Sequence, residues 1–158
     1  MFIRAQILSV SNLGEIDMEQ KTNKQVEAFI FREDLEGTFF FLLMRRIPER
    51  GGFWQPLTGG VRVGEELENA LVREVQEETG IINIKRVLDT GHTFNFNDHG
   101  KNYTEYVYGV EVDPSIGVTL SDEHDSHVWA SKEDVLSLLK WPGNIEGFRR
   151  LCSVLGLK

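Results

Sequence analysis

The segment Glu65–Thr79 has the periodicity of one amphipathic helix, and it constrains the fold more than any other part of the chain. Apolar side chains recur along it at positions i, i+3, i+4 and i+8, namely Leu67, Ala70, Leu71 and Val75. A single apolar stripe of this kind predicts a helix that packs one face on a sheet. Glu65 and Glu66 suit the positive amino-terminal end of such a helix, and Gly80 is a natural C-cap residue.

Segments typical of strands lie on both sides of this helix. Before it, strands are predicted at Phe2–Val10, Val26–Arg32 and Phe39–Met44, with a turn at Asp34–Gly37 and a glycine- and proline-rich loop at Arg45–Gly60. After it, strands are predicted at Ile81–Leu88, Tyr103–Val112 and His127–Trp129, and then helices at Lys132–Lys140 and Ile145–Leu155. This order predicts an α+β fold, layered as an α/β/α sandwich with a mixed β-sheet and a central helix. We expect one domain over residues 1–158.

The composition argues against several classes of function. The chain carries a formal net charge of −8, which disfavours binding to the phosphate backbone of nucleic acids. No apolar run approaches the ~20 residues of a membrane span, and the first residues lack the layout of a secretion signal. The single cysteine, Cys152, lies in an apolar stretch typical of a packed, reduced thiol. We therefore expect a cytoplasmic protein that binds neither nucleic acid nor membrane.

Three carboxylates share one face of the predicted helix. They stand at positions i, i+3 and i+4, and are Glu74, Glu77 and Glu78. Solvated helices relieve such repulsion with lysines, but no lysine occurs between Gly59 and Ile84, and only Arg73 on this helix can reach Glu77. A rigid cluster of oxygen ligands favours Mg²⁺ or Mn²⁺. The absence of histidine and cysteine from the cluster disfavours zinc.

This segment resembles the Nudix box at every defined position: Gly59-x5-Glu65-x7-Arg73-Glu74-Val75-x-Glu77-Glu78-x-Gly80-Ile81. The resemblance implies a Nudix-like α/β/α sandwich in which the box helix is the catalytic helix. It also implies hydrolysis of a phosphoanhydride bond, with attack on phosphorus by a water that a metal activates. The metal ligands implied by the resemblance are Glu74, Glu77 and Glu78.

The resemblance implies supporting roles for other residues. Glu65 would contact the metal ligands, Arg73 would orient a carboxylate by a salt bridge, and Gly59 with Gly60 would let the backbone approach metal or phosphate. The general base differs among family members, so a box glutamate is one candidate and Glu123, in a later loop, is the other. Glu123 is also a candidate metal ligand, and the alternative for it is a solvated loop charge.

Departures from the usual box indicate a subgroup. Many members precede the box with Pro-Gly-Gly and carry an acid where this chain has Arg62, whereas here Leu57 and Thr58 precede Gly59. Segments outside the box resemble the dATP or dihydroneopterin triphosphate pyrophosphohydrolase branch, namely Phe53–Gly59, Glu123-His124, Trp129, and Leu139–Trp141 with Asn144.

Residues outside the box offer further contacts to a substrate. Trp54 would either stack on a base or anchor its loop to the core. Arg45 would either bind a phosphate bidentately or form a surface salt bridge. For His92 a simple polar role at the surface is favoured. His124 and His127 have a spacing found among metal ligands, but they lack the cysteine partners of a zinc site.

The leading hypothesis is therefore a pyrophosphohydrolase that converts a (deoxy)nucleoside triphosphate, such as dATP, or a related triphosphate to a monophosphate and pyrophosphate. Dinucleoside polyphosphates of the Ap4A type and nucleotide sugars such as ADP-ribose are rival substrates, because substrate choice lies in loops outside the box. A nucleotide-binding module without turnover would be expected to lack one of the three box carboxylates, and all three are present. The expected partner is a small nucleotide-type molecule, with a homodimer as a candidate assembly.

Overall fold

The structure, a computed structural model, describes residues 20–158, so the predicted strand Phe2–Val10 lies outside the described residues. Within this range seven strands form one sheet. They are β1 (Lys21–Glu33), β2 (Phe39–Arg46), β3 (Trp54–Gln55), β4 (Leu57–Arg62), β5 (Arg86–Asp98), β6 (Lys101–Glu111) and β7 (His124–Ala130). The helices of the same range are α1 (Leu67–Thr79), α2 (Lys132–Leu138) and α3 (Pro142–Val154), and a 3₁₀ turn spans Pro48–Arg50.

β1 organises the sheet because it pairs with three other strands. Residues 21–28 pair antiparallel with β4, and residues 31–33 pair antiparallel with β2. On its other edge, residues 24–31 pair in parallel with β6. The strand order is β3-β2-β1-β6-β5, with β7 paired to β2. The sheet is therefore mixed, and β4, which leads into α1, lies next to its central strand.

Two hydrophobic cores lie on opposite faces of the sheet, because successive residues of a strand point to opposite sides. The first core, beneath α1, contains Val26, Ala28 and Ile30 of β1. The second core, beneath α2 and α3, contains Phe29 and Phe31 of the same strand. A mixed sheet between helical layers is an α/β/α sandwich, which confirms the predicted fold class.

α1 forms where the periodicity predicts it, with a start two residues later than expected. Glu66 is the N-cap residue, and the helix ends at Gly80, whose φ of 73° is left-handed. The N–H of Gly80 donates to the carbonyl oxygen of Gln76 at 2.9 Å, which satisfies one of the last helical carbonyls. None of the helices in residues 20–158 is long and apolar enough to cross a bilayer.

Several predicted boundaries are wrong, and the reasons are physical. Ile81–Leu88 is not one strand, because β5 begins only at Arg86 and then continues to Asp98. The predicted loop Arg45–Gly60 contains the 3₁₀ turn, β3 and the start of β4, since long-range pairing outweighs its local glycine and proline signals. α3 begins at Pro142 because proline is well suited to the first position of a helix.

Candidate active site

Arg73 of α1 is the centre of a partly buried ion-pair network. Its guanidinium donates to both carboxylate oxygens of Glu65, at 2.8 and 2.9 Å, and to the carbonyl oxygen of Gly60 at 2.9 Å. It also donates to Glu74 at 2.8 Å and to Glu77 at 3.2 Å. The hydrogen bonds between Arg73 and Glu65 raise the pKa of Arg73 and lower the pKa of Glu65. Arg73 thus ties β4 and the segment before α1 to two carboxylates of the helix.

Glu74 is buried between α1 and β4. Its side chain fills the space that a Cβ atom on Gly59 would occupy. Glycine is therefore needed at position 59 for close approach of the two elements. Burial raises the pKa of Glu74, although the hydrogen bond from Arg73 acts in the opposite direction.

Glu77 is the exposed member of the three box carboxylates, with 48% of its side chain accessible. Besides Arg73, it has a second cation nearby, because the guanidinium of Arg62 lies 3.7 Å from its carboxylate. Sequence reasoning identified Arg62 only as a departure from the usual box. Its place beside Glu77 shows that the substitution of an acid by an arginine adds positive charge to the acidic face.

Glu78 contacts a different set of residues. The hydroxyl of Ser121 donates to Oε2 of Glu78 at 2.6 Å, and Nδ1 of His124 lies 3.5 Å from the same oxygen. Burial acts to raise the pKa of Glu78, but the contacts from His124 and Ser121 outweigh it and leave this pKa below its ordinary value. Glu78 is therefore an ionised carboxylate in a mostly buried position.

The loop before β7 brings Glu123 to the same place. Ligand atoms of Glu78, Glu123 and His124 all lie within 4.8 Å of one another. Glu123 also forms a salt bridge of 3.4 Å with Arg50, in the 3₁₀ turn. The later loop and the box helix thus contribute acids to one site.

These residues fit a hard divalent cation. The predicted ligands Glu74, Glu77, Glu78 and Glu123 all offer carboxylate oxygens, which Mg²⁺ and Mn²⁺ prefer. They form two groups, since Glu74 and Glu77 contact Arg73 while Glu78 and Glu123 lie beside His124. Nδ1 of His124 is buried, and within residues 20–158 it has no partner at hydrogen-bonding geometry, its nearest acid being Glu78.

Two predicted substrate contacts lie in other surroundings. Trp54 is half-buried and packs against the second core. Arg45 forms a salt bridge of 2.9 Å with Asp125, and its guanidinium lies 5.8 Å from the ring centroid of Trp54. In this structure Trp54 anchors its loop, and Arg45 is engaged by an acid.

Sequence reasoning missed Gln55 and Ser121, and it gave His124 no role. Gln55 is buried, and its side-chain nitrogen lies 2.9 Å from Nε2 of His124. The two residues meet because β2 pairs with both β3 and β7, a long-range relation that spacing does not reveal. The one available signal was the position of His124 directly after Glu123. His92, for which the sequence favours a polar role at the surface, is half-buried, and its Nε2 is buried with no hydrogen-bond partner among the described residues.

A second group of acids lies on the opposite face of β1, beneath α3. Glu27 and Glu105 are 0% and 2% exposed, and Asn144 of α3 donates to Oε1 of Glu27. Burial raises the pKa of Glu27 to about 8 and holds the pKa of Glu105 well above its ordinary value. One oxygen of each carboxyl has no hydrogen-bond partner among residues 20–158. Glu27 is therefore predominantly protonated at neutral pH, and burial also favours the neutral form of Glu105.

The layered sheet and the arginine-braced carboxylate helix define a Nudix hydrolase fold. The family model of the NUDIX domain matches residues 21–151, and the chain belongs to this family. The match extends well beyond the box, so the strands and α3 belong to the family pattern as well as α1.

Comparison with individual proteins gives relatives with different names. A protein named octanoyltransferase from Myxococcus xanthus is 39% identical over 111 residues, which cover 69% of this chain but only 31% of that protein. The nucleoside triphosphatase NudI of Klebsiella pneumoniae is 30% identical over 115 residues, covering 64% of this chain and 79% of that protein. An Ap4A hydrolase of C. elegans, solved as a binary complex, superposes with a TM-score of 0.73 at 25% identity and covers 84% of this chain and 97% of that chain.

Proposed function

We propose that the chain hydrolyses a phosphoanhydride bond of a nucleoside triphosphate or a related triphosphate, with Mg²⁺ or Mn²⁺, to a monophosphate and pyrophosphate. The observation that carries the proposal is the complete set of box carboxylates on α1. Arg73 holds two of them, and the third, Glu78, stays ionised although it is mostly buried. The similarity to a nucleoside triphosphatase supports a triphosphate as the substrate.

The carboxylates account for binding of the cation. Glu74, Glu77 and Glu78 would hold it together with Glu123, and Arg73 would keep the first two in place. A divalent cation at this position supplies charge neutralisation for the phosphates and makes a water molecule more acidic. Such a cation would also relieve the repulsion between a polyphosphate and an acidic site in this chain of net charge −8.

Two carboxylates of this chain can accept the proton of the attacking water. Burial raises the pKa of Glu74, and a higher pKa makes a carboxylate a stronger base. Glu123 lies on the other side of the site, where it forms a salt bridge with Arg50. Replacement of the true base by glutamine abolishes the low-pH limb of the pH–rate profile, whereas replacement of the other acid leaves this limb in place.

Release of pyrophosphate and phosphate, measured with Mg²⁺ and with EDTA, tests the proposal across a panel of dNTPs, NTPs, dihydroneopterin triphosphate, Ap4A and ADP-ribose. Pyrophosphate release from one triphosphate that stops in EDTA is the expected result. The structural similarity to an Ap4A hydrolase makes a dinucleoside polyphosphate the second candidate. Turnover of Ap4A alone would keep the metal-dependent chemistry and replace the substrate class.

Glu77→Gln is the matched variant for this panel. We expect turnover to fall by about 100-fold or more, because an amide is a poor ligand for a divalent cation. Glu68→Gln is the control, since Glu68 is exposed on the same helix and contributes no box carboxylate. A folded Glu77→Gln variant with the turnover of wild type would refute the assignment of the box carboxylates.

A further inference from the structure

His124 is held by a neighbour that determines where its ring hydrogen lies. It is the first residue of β7 and is 6% exposed. The side-chain nitrogen of Gln55 lies 2.9 Å from Nε2 of the ring. An amide nitrogen can only donate, so Nε2 must accept, and a neutral imidazole then carries its hydrogen on Nδ1. Gln55 thereby turns the N–H of His124 away from β3.

Nδ1 of His124 lies near one particular oxygen of Glu78. Nδ1 lies 3.5 Å from Oε2 of Glu78, close enough for electrostatic attraction though long for a hydrogen bond. Ser121 donates to this same oxygen at 2.6 Å. The two donors therefore converge on Oε2, and Oε1 is the oxygen that neither of them contacts. A carboxylate fixed on one oxygen presents the other in a defined direction.

We propose that Gln55 and His124 form a positioning pair that fixes the rotation of the Glu78 carboxylate and so presents Oε1 to the divalent cation. The inference rests on the proposed function, because it requires Glu78 to be a cation ligand. His124 contacts neither the cation nor the substrate in this arrangement. It acts through Glu78, as hydrogen-bonding partners of metal ligands generally do.

The competing arrangement places His124 itself on the cation. Ligand atoms of Glu78, Glu123 and His124 are close enough together to share an ion. Ligation through Nδ1 would need a lone pair there, and the hydrogen would then have to lie on Nε2. The amide nitrogen of Gln55 disfavours this arrangement, because two donors would then face each other at 2.9 Å.

Binding of Mn²⁺ to the full chain, followed by electron paramagnetic resonance, tests the pair without reference to turnover. We expect His124→Leu to weaken Mn²⁺ binding by about 10- to 100-fold, the usual effect of losing a residue that orients a metal ligand. His124→Asn should retain most of the affinity, because the asparagine amide places an N–H close to the position of Nδ1. Gln55→Leu should weaken binding in wild type and have little further effect in the His124→Leu background.

Steady-state kinetics on the same variants should show a fall in kcat that higher Mn²⁺ concentrations partly restore, with KM for the nucleotide little changed. A loss of packing alone would not be reversed by the cation. Thermal melting in EDTA reports whether each variant is folded. If His124→Leu does not fold, the other two variants still test the proposal. It predicts a small loss of Mn²⁺ affinity for His124→Asn and a large loss for Gln55→Leu.

Three results would overturn the proposal. One is a ¹⁴N hyperfine coupling from a histidine in the electron spin echo spectrum of bound Mn²⁺, which would make His124 a ligand. Another is wild-type Mn²⁺ affinity in the folded His124→Leu and Gln55→Leu variants. In both cases the wild-type chain still binds Mn²⁺ and turns over, so only the inference fails. The third is a wild-type chain that neither binds Mn²⁺ nor hydrolyses any member of the panel, in which case the proposed function fails with it.

Discussion

At the scale of single residues, the contacts of Arg73 explain why an arginine stands in the box. A guanidinium has five N–H donors in a planar fork, and here they serve three carboxylates and one carbonyl oxygen. The bidentate contact to Glu65 fixes the plane of the fork, which in turn fixes the directions available to Glu74 and Glu77. A lysine ammonium is a point charge with three donors and cannot reproduce this pattern.

Arg73→Lys is therefore expected to destabilise the fold although the charge is kept. The side chain is only 17% exposed, so the lost hydrogen bonds to charged groups should cost roughly 2 kcal/mol in free energy of unfolding. Urea denaturation in the absence of metal measures the change. Arg149→Lys serves as the control, because Arg149 is exposed on α3. Equal stability of the two variants would show that the fork geometry of Arg73 is unimportant.

Glu27 predicts a dependence of stability on pH. Its pKa is about 8 in the folded chain and 4.5 for an ordinary glutamate, so between these values the unfolded chain has released a proton that the folded chain retains. Stability contributed by this residue is therefore fully present below pH 4.5 and falls as the pH rises towards 8. The glutamine of Glu27→Gln does not titrate, so this pH-dependent contribution to stability is absent from the variant. Its stability relative to wild type should rise by roughly 2–3 kcal/mol between pH 5 and pH 7.

Chemical denaturation of both proteins across this pH range measures the difference. Glu36→Gln is the matched control, since Glu36 is exposed in the turn between β1 and β2. Curves for wild type and Glu27→Gln that run parallel in pH would contradict the prediction.

At the scale of elements, the site depends on how closely α1 approaches β4. The contact between Glu74 and Gly59 leaves no room for a side chain on the strand, so the glycine sets the distance between the two elements. The same approach places the carbonyl oxygen of Gly60 within 2.9 Å of Arg73. One glycine thus positions both a carboxylate and the arginine that holds its neighbour.

Gly59→Ala tests this dependence. The added methyl group must displace the Glu74 side chain, because its place is already filled. We expect overpacking to cost about 1–3 kcal/mol of stability and turnover to fall by about 10-fold or more, since small misplacements at a reacting centre are costly. Gly117→Ala is the control, because no other atom of residues 20–158 lies within 4 Å of a Cβ atom at that position. Full activity in a folded Gly59→Ala variant would show that Glu74 need not lie over β4.

The elements also show what the sequence could and could not predict. α1 was predicted to within two residues because its apolar stripe and its C-cap glycine are local signals. β4 was not predicted, because its glycines disfavour a strand locally and only pairing with β1 makes it one. The box residues could be identified because their spacing is a local signal. The roles of Gln55, Glu27 and Glu105 could not be predicted, because their contacts form only when strands distant in sequence pair.

At the scale of the whole molecule, the two faces of the sheet differ in the partners that they offer to buried acids. On the α1 side, contacts with Arg73, Ser121 and His124 stabilise negative charge on Glu65 and Glu78. On the α3 side, Glu27 has no cation among its partners in the described part of the chain, and burial favours its neutral form. Negative charge is therefore concentrated at the candidate active site. A net charge of −8 adds a general repulsion that a bound cation would relieve.

Binding of a divalent cation should consequently stabilise the folded chain as a whole. A ligand at 100 times its Kd adds about 2.7 kcal/mol if it binds only the folded state, which for a chain of this size corresponds to a rise in Tm of about 5–10 °C. Thermal melting with MgCl₂, against NaCl at equal ionic strength, separates specific binding from screening of the net charge. The rise should be lost in Glu78→Gln and retained in Glu68→Gln, because only Glu78 belongs to the site. An equal rise in all three proteins would mean that Mg²⁺ acts on the overall charge and not at the carboxylates of α1.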